Sequence, residues 1–313
     1  MMRSFSAAVS GLRTHQAYLD AVSNDIANVN TMAYKSSRFS FKDAFNQTLK
    51  NSGGAGTVLG SVNGQQVGLG VEVGSIDNQM GQGPITTTGN PFDMAIQGDG
   101  FFRVGKPKEN PESGIEYTRA GNFTTTETGD IVNQDGYYLI GWAVAPNSTA
   151  KTLVNGQPVP GIINIPTSAR SVNIDQNGLV AYITGADILD TTTYPDPTDP
   201  HNDPTNALYD PLVKTGETAY AGYVTMAKFP NPQGLERVSG NLWQASQSSG
   251  TAMVDTATQN GIGSIVSRAL EGSNVDISFE FAEMIKAQRG FQVNSRTIST
   301  ADDMLQTLVS MKR

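Results

Sequence analysis

Along the first thirty positions the residues Phe5, Ala8, Leu12, His15, Leu19, Val22, Ile26 and Val29 recur at alternating steps of three and four. That spacing averages 3.5 residues and draws one stripe down an α-helix, the pattern of helices packed side by side. Ser6, Arg13, Gln16, Asp20 and Asn24 mark the opposite, polar face. The C-terminal segment repeats the design. Ile277, Phe281, Met284, Phe291, Ile298, Leu305 and Val309 share a heptad frame, interrupted by Gln288, Ser295 and Asp302. Ser273 or Asn274 is the expected N-cap there, with Asp276 in the first turn opposing the helix dipole. Gly290 costs such a helix about 1 kcal/mol of propensity and permits a close approach or a bend.

Between Val67 and Gly261 the period shortens. β-prone runs recur at Val71 to Ile76, Asp93 to Ile96, Phe101 to Val104, Tyr137 to Trp142, Ile162 to Ile165, Ser171 to Ile174, Leu179 to Ile183 and Ala219 to Ala227. Gly98-Asp99-Gly100, Asp135-Gly136 and Asn177-Gly178 separate them as turns, which predicts antiparallel strands. Pro195, Pro197, Pro200 and Pro204 exclude a central strand from Tyr194 to Asp210, which is expected as an exposed loop or small lobe. Thr48 to Val67, rich in Gly, Asn and Ser, reads as a linker or extended arm.

The expected fold class is therefore α+β: paired terminal helices, coiled-coil-like, flanking a mainly antiparallel β domain with small β or loop insertions. The expected divisions are a helical core of 1–30 with 273–313 and an arm of 31–70. A β domain of 71–144, 162–187 and 217–272 follows, with outer insertions at 145–161 and 188–216. Burying the two stripes against each other does not by itself offset the entropy of ordering such long helices. An isolated helix in water is marginal. The ends are thus expected to order on packing against neighbouring copies. The alternative is that both helices simply cap the β domain of one monomer.

Composition narrows the function. Gly (33) and Pro (15) are abundant and 38% of residues are hydrophobic, which suits a turn-rich β protein better than a dense α/β enzyme. A net charge of -8 with no basic block argues against a nucleic-acid partner. There is no cysteine, so disulfides and thiolate metal sites are excluded. No apolar run approaches the ~18 residues of a membrane span, so membrane insertion is not expected. Ser6, Ser10 and Arg13 break the N-terminus before a signal-peptide core can form, so export would use a route without a cleaved signal peptide.

Candidate chemistry is sparse. His15 sits on the helical stripe and reads as a buried or interfacial polar residue. His201 lies among Asp196, Asp199 and Asp203, which could offer carboxylate oxygens to a hard cation. The EF-hand glycine and terminal glutamate are missing, and a proline-stiffened solvated loop is the simpler reading. Gly68-Leu69-Gly70 runs into Val71 with no helix expected, unlike a dinucleotide fingerprint. Neither a phosphate-loop lysine nor a nucleophile elbow nor a zinc-binding helix motif is present. Asp302 and Asp303 are adjacent on a helix and diverge. No enzymatic activity, cofactor or metal is expected.

Three stretches resemble a known family. Asn24-Asp25-Ile26-Ala27-Asn28-Val29-Asn30-Thr31-Met32-Ala33-Tyr34-Lys35 is similar to the N-terminal signature of bacterial flagellar rod and hook proteins. Ala33 stands where that family usually has Gly. Val67-Gly68-Leu69-Gly70-Val71, then Thr88-Gly89-Asn90 and Gly98-Asp99-Gly100-Phe101-Phe102, follow its β-domain entry. Glu283 to Gln292 and Thr297 to Leu305 match its C-terminus.

The resemblance implies a tube with the terminal helices innermost, the β domain as a middle shell and the insertions outside. Its assembly interface would comprise Phe5, Leu12, Leu19, Val22, Asn24, Ile26, Asn28, Val29, Ile277, Phe281, Met284, Phe291, Ile298, Leu305 and Val309. Implied partners are further copies of itself, distal rod and hook–filament junction proteins, a hook cap and the flagellar type III export apparatus. The implied location is extracellular, in the hook and basal body of the flagellum. Val67 to Phe102 and the sizeable loops favour a hook subunit, a universal joint passing torque from rod to filament. The alternative is the distal rod protein, which shares the style of Ile165 to Gly178. A secreted adhesin using the β domain is the rival from another class.

Overall fold

In a computed structural model of the chain, the structure describes residues 2–311 apart from 54–60, 62, 107–113, 146, 152, 155–156 and 187–212. The Tyr194 to Asp210 loop and the acidic cluster around His201 lie outside the described residues. Two helices, α1 (Met2–Ala27) and α2 (Ile277–Met311), bracket a succession of antiparallel strands, an α+β fold. The chain divides into two compact units. One comprises Met1–Asn30, Lys35–Met80 and Asn274–Arg313; the other comprises Thr31–Tyr34 and Gly81–Ser273.

The second unit is built on one long strand, Thr218–Lys228, which alternates burial through its first half and is almost wholly buried thereafter. It pairs with Leu179–Ile183, Tyr138–Trp142, Phe101–Gly105 and Met253–Thr256. The sheet extends from Ser171–Ile174 at one edge to Glu236–Arg237 at the other. Three strand pairs stand outside it: Ile85–Thr87 with Ala269–Glu271, Met94–Gln97 with Ser264–Ser267, and Leu153–Val154 with Gln157–Pro158. Met94, Ile96, Phe102, Leu139, Met226 and Ile265 are among the fully buried side chains of one continuous core. The short strands expected from the β-prone runs are there because period-two alternation puts their apolar residues on this core face.

The Gly98-Asp99-Gly100 turn organises the entry to that core. Gly98 and Gly100 hold φ of 108° and 138°, a region L side chains rarely adopt. This frees both carbonyls to face Arg119, whose Nη2 donates to Gly98 O at 2.7 Å and whose Nε donates to Gly100 O at 2.9 Å. Arg119 also pairs with Glu271 at 3.3 Å, and Glu271 Oε1 accepts the Gly83 N–H at 2.9 Å. Both side chains of this ion pair are almost fully buried. Ala33 takes φ of 56°, a left-handed conformation that glycine adopts most readily, and its N–H donates to Glu271 O at 2.9 Å.

Segment 31–70, expected as an arm, contains strands. Ser37–Asp43 pairs with Val71–Asn78, and Asn46–Lys50 pairs with Gln65–Gly68. Ala44 N–H to Gly70 O and Leu69 N–H to Phe45 O join the two pairs into one antiparallel ribbon. Its Gly, Asn and Ser content hid the ladder, although Phe39 and Phe41 alternate with polar neighbours as a strand should.

Removing one partner of a buried ion pair strands the other's charge. Glu271→Ala should therefore cost the second unit about 3–5 kcal/mol. Lys42→Ala, which breaks the exposed Lys42–Glu72 pair at 3.5 Å, should cost under about 1 kcal/mol. Urea melts read by the fluorescence of Trp142 and Trp243 check the first, and amide hydrogen exchange of the strand Ser37–Asp43 checks the second.

Candidate assembly interface

The helical unit begins with a close antiparallel pairing of α1 and α2. Three contacts fix direction and register: the Tyr18 hydroxyl donates to Glu283 Oε2, His15 packs on Gly290, and Gly11 packs on Asn294. At both glycines there is no room for a methyl group. A Cβ on Gly290 would lie 2.6 Å from His15 Nε2, and one on Gly11 would lie 2.6 Å from Asn294 Nδ2. Each helix thus presents a glycine where the other presents a larger polar side chain. Gly290 serves close approach, with α2 running unbroken through it.

These contacts select which face of each helix is used. On α1 the inward column runs Ala8, Gly11, His15, Tyr18, Val22 and Asp25, again in steps of three and four. Of these, Ala8, Gly11, Val22 and Asp25 are buried. On α2 the facing column is Glu280, Ala287, Asn294 and Ala301, spaced by seven, with Glu280, Ala287 and Ala301 buried. The stripes read from hydrophobicity overlap this seam only in part. Ala8, His15 and Val22 belong to both; Leu12, Leu19, Ile26 and Val29 lie beside it, half-buried. Phe5 is exposed. On α2, Met284 and Ile298 are half-buried, whereas Ile277, Phe281, Phe291, Leu305 and Val309 are exposed.

The physical reason is that helices approach most closely where side chains are small. The pair closes on Gly and Ala with His15, Tyr18 and Glu280 set between them, and at 100° per residue Met284, Phe291, Ile298 and Leu305 lie about 40°, and Phe281 about 100°, from that seam. Phe279, Ile285, Val293, Leu308 and Met311 add to the exposed apolar surface. Asn24 and Asn28, two polar members of the expected interface, bond to each other: Asn28 Nδ2 donates to Asn24 Oδ1 at 3.1 Å and to its carbonyl at 2.9 Å.

The N-cap of α2 also differs from the expectation. Asp276 Oδ1 accepts the N–H groups of Ser278 at 2.8 Å and Phe279 at 3.3 Å, so Asp276 is the cap. Asn274 instead ties the ribbon together, accepting from Ser36 N–H at 2.7 Å and donating to Gln79 O at 2.8 Å.

The ribbon supports α1 on its other side. Ser10 Oγ accepts the Val71 N–H at 3.3 Å. Tyr18, Phe39, Phe41 and His15 form an aromatic cluster with ring centroids 5.1–5.5 Å apart. Burial lowers the His15 pKa from its ordinary value, and its buried Nδ1 meets no hydrogen-bond partner among the described residues. Burial first, then the bond to Glu283, raises the Tyr18 pKa; bonds from Lys286 and Tyr18 hold Glu283 below the usual carboxylate range. Among the described residues, no group of three His, Cys, Asp or Glu is placed to hold a metal. No described helix is long and apolar enough to cross a membrane.

Comparison with known proteins bears on what such a pair does. Residues 95–182 match the family model described as the flagellar hook protein FlgE/F/G D1 domain. Residues 266–311 match that of the flagellar basal body rod FlgEFG protein C-terminal region. The flagellar basal-body rod protein FlgG of Bacillus subtilis is 37% identical over 314 residues, covering 100% of both chains. The chain belongs to the flagellar hook and rod protein family. FlgG of Caulobacter vibrioides is 33% identical over 313 residues, covering 99% of this chain and 100% of that one. The flagellar hook protein FlgE of Salmonella typhimurium is 26% identical over 427 residues, covering 99% and 100%. Hook and rod proteins are structural parts of the flagellum and do not form an enzyme family.

Gly290→Leu must push His15 and α1 away. An overpacked seam costs about 1–3 kcal/mol, so hydrogen-exchange protection across α1 should fall roughly fivefold to a hundredfold while the β unit keeps its own. Gly290→Leu at native protection would show that the glycine contact does not set the pairing.

Proposed function

We propose that the chain is the distal rod subunit of the flagellar basal body, a structural protein that polymerises through its terminal helices. The observation that carries this reading is collinearity. The rod relative from Bacillus subtilis aligns over 314 positions with this 313-residue chain, end to end in both. The hook relative requires 427 positions to cover the same chain at lower identity. The expectation of a hook rests on Val67 to Phe102 and on the sizeable loops. Length and identity favour the rod instead.

In the proposed assembly, α1 and α2 of one copy meet neighbouring copies through the apolar residues that the pair leaves outside. Of the expected interface residues, Phe5, Leu12, Leu19, Asn24, Ile26, Asn28, Val29, Ile277, Phe281, Met284, Phe291, Ile298, Leu305 and Val309 would serve it, whereas Val22 is already buried within the pair. Exposed Phe281, Leu305 and Val309 would supply much of the area, at about 25 cal/mol per Å² buried. The β unit would form the shell around the helices. Proposed partners are further copies of itself, adjoining rod and hook components, and the export apparatus that delivers the chain across the envelope.

Purified protein should form straight or curved tubes visible by negative-stain microscopy. Leu305→Asp with Val309→Asp should raise the critical concentration at least about tenfold, because each buried carboxylate would lose several kcal/mol of association energy. A strain lacking the chain should make neither a complete rod nor a hook; a complete rod lacking only its hook would overturn the rod assignment in favour of the hook.

A further inference from the structure

Glu280 lies in the first turn of α2, on the column that faces α1, and is 8% exposed. Its acidic neighbours all have donors. Asp25 on α1, 1% exposed, accepts the Ser37 N–H on Oδ2 at 2.9 Å. Asp276 caps α2 through the N–H groups of Ser278 and Phe279. Glu283 accepts from the Tyr18 hydroxyl and the Lys286 ammonium. No donor among the described residues reaches the carboxylate of Glu280. The cations of the elements around it are Lys35, buried on the segment after α1; Arg38, held by Asp77 at 3.2 Å; and Lys286, held by Glu283. The dipole at the start of α2 favours an anion, but Asp276 already occupies that place as the cap.

A buried carboxylate without donors, among three negative neighbours, relieves its desolvation by taking a proton. We propose that Glu280 is a proton-binding site within the helix pair, protonated when α1 and α2 are tightly closed and weakening their contact when ionised. The neighbouring charges agree. Burial, then Asp25, Glu283 and Asp276, raise its pKa to about 7. A carboxyl raised in the folded state adds stability that is fully present below its unfolded value of about 4.5 and is lost as pH rises through about 7. The pair is therefore tightest in mild acid and loosest at alkaline pH. This goes beyond assembly, because it concerns the free chain.

Carbon-13 NMR of the side-chain carboxyls in the intact chain tests it directly. Glu280 should titrate near neutrality while Glu283 titrates below the ordinary range. Glu280→Gln mimics the protonated form. Protection of the α1 and α2 amides, corrected for intrinsic exchange, should fall on the order of tenfold between pH 5.5 and 8.5 in the native chain. It should stay high and flat in Glu280→Gln. Ordinary titration of Glu280 beside a depressed Glu283 would overturn the proton site and leave the helix pair intact. Ordinary titration of both would overturn the proton site together with the pairing of the helices in the free chain. An equal pH dependence in Glu280→Gln and native chain would also overturn it. Failure to polymerise would bear on the rod reading alone.

Discussion

Everything in the helical unit depends on how closely α1 can approach α2. Gly11 opposite Asn294 and Gly290 opposite His15 bring the two backbones together where any side chain at the glycines would collide. Once that contact is made, the direction of every other residue on both helices follows from the 100° step of the α-helix. Large apolar side chains are then directed outward by geometry, although their hydrophobicity alone would favour the seam. The helix pair closes on small residues together with His15, Tyr18 and Glu280, and leaves Phe5, Phe281 and Leu305 exposed.

The existence and type of both helices were legible from a period of 3.5, since apolar steps of three and four repeated over about seven turns are incompatible with a strand. Their rotation was not. Hydrophobicity marked Leu12, Leu19 and Phe281, while the seam runs through Gly11, Tyr18, Asp25 and Glu280. The signal that could have revealed it was the heptad of small and polar residues at 280, 287, 294 and 301. Asp276 rather than Asn274 caps α2 because Asn274 is used by the ribbon, a tertiary demand invisible to local pattern. The β unit was legible in its strands and its Gly98-Asp99-Gly100 turn, since glycine pairs with φ near 108° and 138° leave a plain mark. The Arg119–Glu271 pair was not, because its partners are 152 residues apart.

Ala33 shows how a departure from family pattern is tolerated. The position requires a left-handed backbone, which costs an L residue about 1–2 kcal/mol. The turn is nevertheless kept, because its N–H is needed by Glu271 O and its methyl is buried. The same glutamate holds Arg119 and Gly83, so one residue near the end of the second unit organises three segments from its beginning.

The pairing of α1 with α2 joins the first-made segment of the polypeptide to the last. Tyr18 and Glu283 are 265 residues apart, so this contact carries nearly the maximum loop-closure cost that the chain can incur. A ribosome finishes α1 long before any of α2 exists, and the β unit between them can fold while α1 still waits. A chain truncated before α2 lacks the surface against which α1 packs. Closure of the pair thus requires both ends of the polypeptide at once.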